Sequence, residues 1–186
     1  MTAWIVLAAA LGAVAVSGYL LTVTGALTLD VGVGRRLRPL GPRTLSIAAP
    51  RQLVFDEIAV AYLSVNPPRA LRGKVSVLER GTDIVVAAHR TPFRPFTAVT
   101  VESVRFERPE RVSFRLLRGP VPFVRERFGL AEREGKTELV YSGELGTDFW
   151  WLGAAWGIAV AAVWVRTVER SLAELKESAE RKARRT

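Results

Sequence analysis

Charged side chains are absent from Met1 to Leu29 and then recur along the rest of the chain, with one long gap between Asp148 and Arg166. Roughly 20 apolar residues suffice to cross a hydrocarbon core of about 30 Å, so the first stretch is read as one transmembrane helix from Ala3 to Leu29. A cleavable leader is the weaker reading. No Lys or Arg precedes the run and the run is too long, although Ala13-Val14-Ala15 mimics a cleavage site. The second apolar stretch, Phe149 to Val165, is short for a crossing. It continues through Trp164, Val168, Leu172, Leu175 and Ala179 at spacings of three and four, which predicts a long amphipathic helix of a soluble fold. One crossing, rather than two, is the expectation.

Between the two apolar stretches the pattern alternates. Asp30 to Arg43 mixes Gly32, Gly34, Pro39, Gly41 and Pro42 with arginines and reads as a linker without a packed element. Thr44 to Ala48 reads as a short strand, and Pro50 to Leu63 as a helix with Leu53, Val54, Ile58 and Tyr62 on one side, Pro near its start being favoured there. From Gly73 the period falls to two. Six strands follow, separated by turn residues: Lys74 to Arg80, Asp83 to Arg90, Phe96 to Glu107, Arg111 to Arg118, Phe123 to Arg133 and Lys136 to Leu145. Thr147 or Asp148 can cap the long helix that comes next. The predicted class is α+β.

Composition adds an orientation and several exclusions. The 186 residues carry 27 Lys and Arg against 18 Asp and Glu, a net charge of +9, which favours an anionic partner. Beside an apolar helix that partner is the membrane, and no nucleic acid is expected. Arg35, Arg36, Arg38 and Arg43 follow the helix closely and are assigned to the membrane surface. By the positive-inside rule they stay in the cytoplasm. The N-terminus is then outside, and the domain is cytoplasmic on a single-pass protein of the cell membrane. A second crossing would carry Arg181, Lys182, Arg184 and Arg185 outward against that bias. With no cysteine there is no disulfide, zinc–thiolate site or thiol nucleophile. No metal or cofactor is expected, since neither GxGxxG nor a Walker pattern occurs.

The segments "SIAAPRQLVFDEIA", "VRFERPERVSFRLLRGPVPFVRERFGL" and "TELVYSGELGTDFWWLGAAWG" resemble the SRPBCC superfamily, polyketide cyclase/dehydrase-like proteins of START-like type. The resemblance implies a helix-grip fold, an antiparallel curved β-sheet wrapped on a long C-terminal α-helix, here with one N-terminal transmembrane helix added. The implied organisation is the transmembrane helix at 1–29, a basic linker at 30–43, the START-like domain at 44–177 and a basic tail at 178–186. It also implies an apolar cavity between sheet and helix, for a lipid or other hydrophobic small molecule. The expected wall comprises Val86, Val104, Phe114, Phe128, Leu130, Leu139 and Tyr141, with Trp156, Val160 and Trp164 as lid.

Three polar groups are candidates for chemistry at that cavity. His89 is the sole histidine and the first place to look for a base near neutral pH. Glu126 takes an apolar position in Val124-Arg125-Glu126-Arg127-Phe128, and a carboxylate there needs a partner or must become neutral. If Gly119 to Pro122 closes a four-residue hairpin, Arg115 stands opposite Glu126 as a cross-strand ion pair. Glu144 and Asp148 are read as helix-capping carboxylates. Three functions remain open: a membrane-tethered binding module, a cyclase or dehydratase using Glu126, Arg115, His89 or Tyr141, and a protein that binds anionic lipid without a ligand.

Overall fold

The computed structural model describes residues 2–69, 71–93 and 95–185. Helix α1 (Thr2–Val23) is followed by strands β1 (Arg36–Pro39) and β2 (Arg43–Ile47), helix α2 (Arg51–Leu63), strands β3 (Val75–Arg80), β4 (Ile84–Phe93), β5 (Phe96–Glu107), β6 (Arg111–Arg118), β7 (Phe123–Arg133) and β8 (Lys136–Thr147), and helix α3 (Trp150–Ala183). The strands form one antiparallel sheet in the order β1-β8-β7-β6-β5-β4-β3, with β2 paired to β8 beyond β1 on the same edge. Helices α2 and α3 pack on each other and on one face of the sheet. This is the expected α+β helix-grip architecture.

Alternation decides which face is buried. Along β5, Thr100, Glu102, Val104 and Phe106 turn inward, whereas Arg105 and Glu107 stay exposed. Ile47, Val54, Phe55, Leu139 and Leu145 are fully buried where β2, α2 and β8 meet. Residues of this size each contribute about 1.5–3 kcal/mol on burial. Helix α2 lacks a side-chain cap. It is held by the buried face Val54, Phe55, Ala59 and Tyr62, with Leu53 and Ile58 packed at its margin.

Three local expectations are corrected. First, α1 ends at Val23, not Leu29. Gly25, at φ +72°, stops it in the left-handed conformation that glycine adopts without a Cβ clash, and its N–H donates to the Thr22 carbonyl at 3.0 Å. Second, the stretch read as a linker contains β1, paired from Arg36 opposite Thr147 to Pro39 opposite Glu144. Turn residues signalled the bends at each end but hid the strand between them. Third, Asp148 does not cap α3. The capping position falls to Phe149, with φ +67° and no side-chain cap.

Asp148 instead closes a knot. Its carboxylate accepts the Val31 and Gly32 N–H groups, both at 2.8 Å, and Arg35 Nε at 2.7 Å. Phe149 and Trp150 have positive φ, a conformation that side chains disfavour by roughly 1–2 kcal/mol each. Their N–H groups donate to the carbonyls of Val33 and Gly34. Gly153 is required beside this turn, since a Cβ there would strike the Asp148 carbonyl.

Among the described residues, two helices are long and apolar enough to cross a membrane: Ala3–Val23 and Trp150–Ala183. At 1.5 Å per residue, the 21 residues of the first span about 31 Å. The helix has no buried residue in its apolar window, whereas α3 is amphipathic and contributes Ala161, Leu172 and Ala179 to the core.

Candidate functional site

Between α3, α2 and the inner sheet face lies a cavity of about 650 Å³, within the range of small-molecule sites. Phe114, Phe128, Val160 and Leu175 make much of its wall apolar. Trp156 and Trp164, expected as lid residues, line it from α3. So do His89, Glu126 and Phe128 from the sheet. Val104, Leu130 and Leu139 turn inward but are consumed by the core. On β4 the inward row is Val85, Ala87 and His89, so Val86 lies on the opposite face from the one expected.

Glu126 is 6% exposed. Its Oε1 accepts the Tyr141 hydroxyl at 2.5 Å and the Trp164 indole N–H at 2.8 Å. Tyr141 therefore stands behind the carboxyl as its donor and is fully buried. Burial pushes Glu126 up to about 7, the charge of Glu102 adding to the rise and the two hydrogen bonds opposing it. The Tyr141 hydroxyl is raised too, by burial first and by Glu126 second.

Arg115 does not join this group. The register sets Phe114 opposite Glu126 and Arg115 opposite Arg125. The turn beyond β6 closes one residue away from the assumed four-residue loop, and a one-residue slip sends every side chain to the other face. Arg115 is exposed on the outer face, in a shallow depression shared with Arg105, Arg125 and Arg127.

A second buried carboxylate lies in the cavity wall. Glu102, on β5, is 4% exposed and accepts the Thr100 hydroxyl at 2.8 Å. Burial raises it to about 7, against that hydrogen bond. His89 Nδ1 is 3.6 Å from Glu102 Oε2, too long for a hydrogen bond, and His89 Nε2 is buried without a partner. Burial lowers His89 to about 4, against the attraction of Glu126. At neutral pH the imidazole is therefore uncharged, and burial favours the protonated form of both carboxyls. Glu102 was legible by the signal that singled out Glu126, a carboxylate in the apolar register between Thr100 and Val104. The two carboxylates and the histidine do not amount to a metal site: no group of metal-ligating side chains occurs among the described residues.

The N-terminal helix meets the mouth of this cavity. Val23, in its last turn, is buried and lines the wall. Tyr19 packs edge-on to Trp156 with ring centroids 6.3 Å apart, and Trp156 Nε1 donates to the Pro120 carbonyl at 2.8 Å. Val99 N–H donates to the Thr24 carbonyl at 2.9 Å, and Thr28 Oγ1 both donates to and accepts from the Gly119 backbone. Of the four arginines assigned to a membrane surface, Arg35 is held by Asp30 and Asp148 and Arg43 pairs with Glu169 at 3.0 Å. Arg36 and Arg38 stand exposed on β1.

No protein-family model and no curated protein matches the sequence. Solved structures do. The Zhui aromatase/cyclase from Streptomyces sp. R1128 is similar at 20% identity and a TM-score of 0.65, over 79% of this chain and 96% of that one. A START superfamily protein from Mycobacterium smegmatis is similar at 14% identity and a TM-score of 0.55, over 78% and 97% of the two chains. Norcoclaurine synthase from Thalictrum flavum is similar at 12% identity and a TM-score of 0.51, over 67% and 79%. At these identities the likeness is one of fold. The chain has the helix-grip fold that these structures share, with an apolar helix at its N-terminus.

Proposed function

We propose that this protein is a membrane-tethered binding module for a lipid or other hydrophobic small molecule, held in the helix-grip cavity. Helix α1 crosses the cell membrane once, with the N-terminus outside and the domain in the cytoplasm. The observation that carries the reading is the place of Val23, which belongs at once to the apolar helix and to the cavity wall. A ligand leaving the bilayer along α1 thus reaches the cavity without passing through bulk water. Trp150, Trp151, Leu152 and Ile158 support the same reading, because they leave the first turns of α3 apolar and exposed. Aromatic side chains of this kind favour the membrane–water interface.

The test is native mass spectrometry of the full chain released from nanodiscs made with a cell lipid extract. A fragment beginning at Thr44 would lack β1 and the strap bound by Asp148. An apolar small molecule should accompany the protein, and Val160→Trp, which projects an indole into the cavity, should weaken its retention. Bare protein would refute the reading. A second reading, a cyclase- or dehydratase-like enzyme, is favoured by one observation: Glu126, Tyr141 and Trp164 form a hydrogen-bonded acid group at the cavity with its proton poised near neutrality. It predicts that Glu126→Gln abolishes turnover while ligand retention is unchanged.

A further inference from the structure

Arginines gather on the outer face of the sheet, and two carboxyl groups lie buried on the inner one. Arg105, Arg115, Arg125 and Arg127 stand exposed on the outer face, whereas the cavity wall holds the buried carboxylates Glu102 and Glu126. In a chain of net charge +9, no Lys or Arg among the described residues forms an ion pair with either. The nearest opposite partner is His89 at 3.6 Å from Glu102, and it is neutral at physiological pH. The basic side chains that do line the cavity are exposed and engaged elsewhere. Lys74 faces Glu174 at 3.8 Å, Arg90 donates to Ser76 at 2.7 Å and Arg181 meets Glu177 at 3.1 Å.

Among the described residues one buried hydrogen-bonding atom of the wall, His89 Nε2, has no partner, and the hydrogen bonds to Glu126 and Glu102 all end on their Oε1 atoms. The two carboxylates repel each other's ionised forms. A ligand ending in a carboxylate or phosphate would add a further negative charge against them. A protonated amine does the reverse: its N–H groups supply donors to the carboxylate oxygens, and its charge favours their ionised forms.

We infer that the cavity selects apolar molecules bearing a protonated amine, with Glu126 and Glu102 as the groups that bind the ammonium. The inference rests on the reading of the cavity as a site for hydrophobic molecules.

The full chain in zwitterionic phosphatidylcholine nanodiscs would be titrated calorimetrically with decylamine, decanol and decanoate, with protein-free nanodiscs as the blank. Decylamine should bind about tenfold more tightly than decanol, with decanoate weakest, as expected for one added charge-assisted hydrogen bond. Glu126→Gln and Glu102→Gln should each remove most of the preference for the amine and leave decanol binding unchanged. Decanoate binding as tightly as decylamine, or an amine preference that survives both substitutions, overturns the inference and leaves the hydrophobic site standing. Failure of all three probes to bind overturns the site as well.

Discussion

Glu126→Gln is expected to make the protein more stable above neutral pH and to leave it almost unchanged in mild acid. The amide keeps an oxygen to accept the Tyr141 and Trp164 hydrogen bonds and mimics the protonated carboxyl. The unfolded chain ionises Glu126 above its ordinary 4.5, whereas the folded chain holds the proton until about 7. The native state therefore loses stability as pH rises between these values and loses no more from this group above them. That interval corresponds to about 3 kcal/mol. Neutral Gln escapes the loss. His89 works in the opposite direction, since its lowered value costs stability as pH falls from 6.5 towards about 4. It is common to both proteins, and the variant, without the Glu126 charge that opposes the fall, holds His89 slightly lower. Thermal unfolding of the full chain in a mild detergent, followed by tryptophan fluorescence, reads the effect. The melting temperatures should nearly coincide at pH 4.5 and diverge by about 6–12 °C at pH 8, with the variant higher. Parallel pH profiles for the two proteins would refute the assignment of Glu126 as a buried carboxyl without a basic partner.

Two further substitutions test the corrected parts of the fold. Asp148→Asn removes a buried anion that holds the strap through Val31, Gly32 and Arg35, and should destabilise by about 3 kcal/mol while speeding hydrogen exchange at the Val31 and Gly32 amides. Its Arg35 partner holds Asp148 at about 2, below the ordinary 3.8, so its stabilisation is present above 3.8 and the gap to the variant should close as pH falls towards 2. Arg115→Ala, at an exposed outer-face position, should change stability by less than about 0.5 kcal/mol. A loss above about 2 kcal/mol would restore the discarded pairing with Glu126.

The sequence alone determined the elements that local periodicity specifies. The absence of charge marked α1, the period of two marked β3 to β8, and the threefold and fourfold spacing after Trp164 marked α3. The bounds of β5, β6 and β7 coincide with their sequence readings, because turn residues close each of them on both sides. Glu126 stood out because a carboxylate in an apolar register is visible without coordinates. Only the tertiary structure could decide the partners. Strand β1 looks like a linker, since its order comes from hydrogen bonds to β8, more than a hundred residues away. Asp148 looks like a cap, yet it binds the strap around positions 31–35. Arg115 faces away from Glu126 because register is set by the closure of one turn, and a single-residue slip inverts a face. The share of α1 in the cavity wall, through Val23 and the contact of Tyr19 with Trp156, depends on where a helix end docks, which no spacing along the chain encodes.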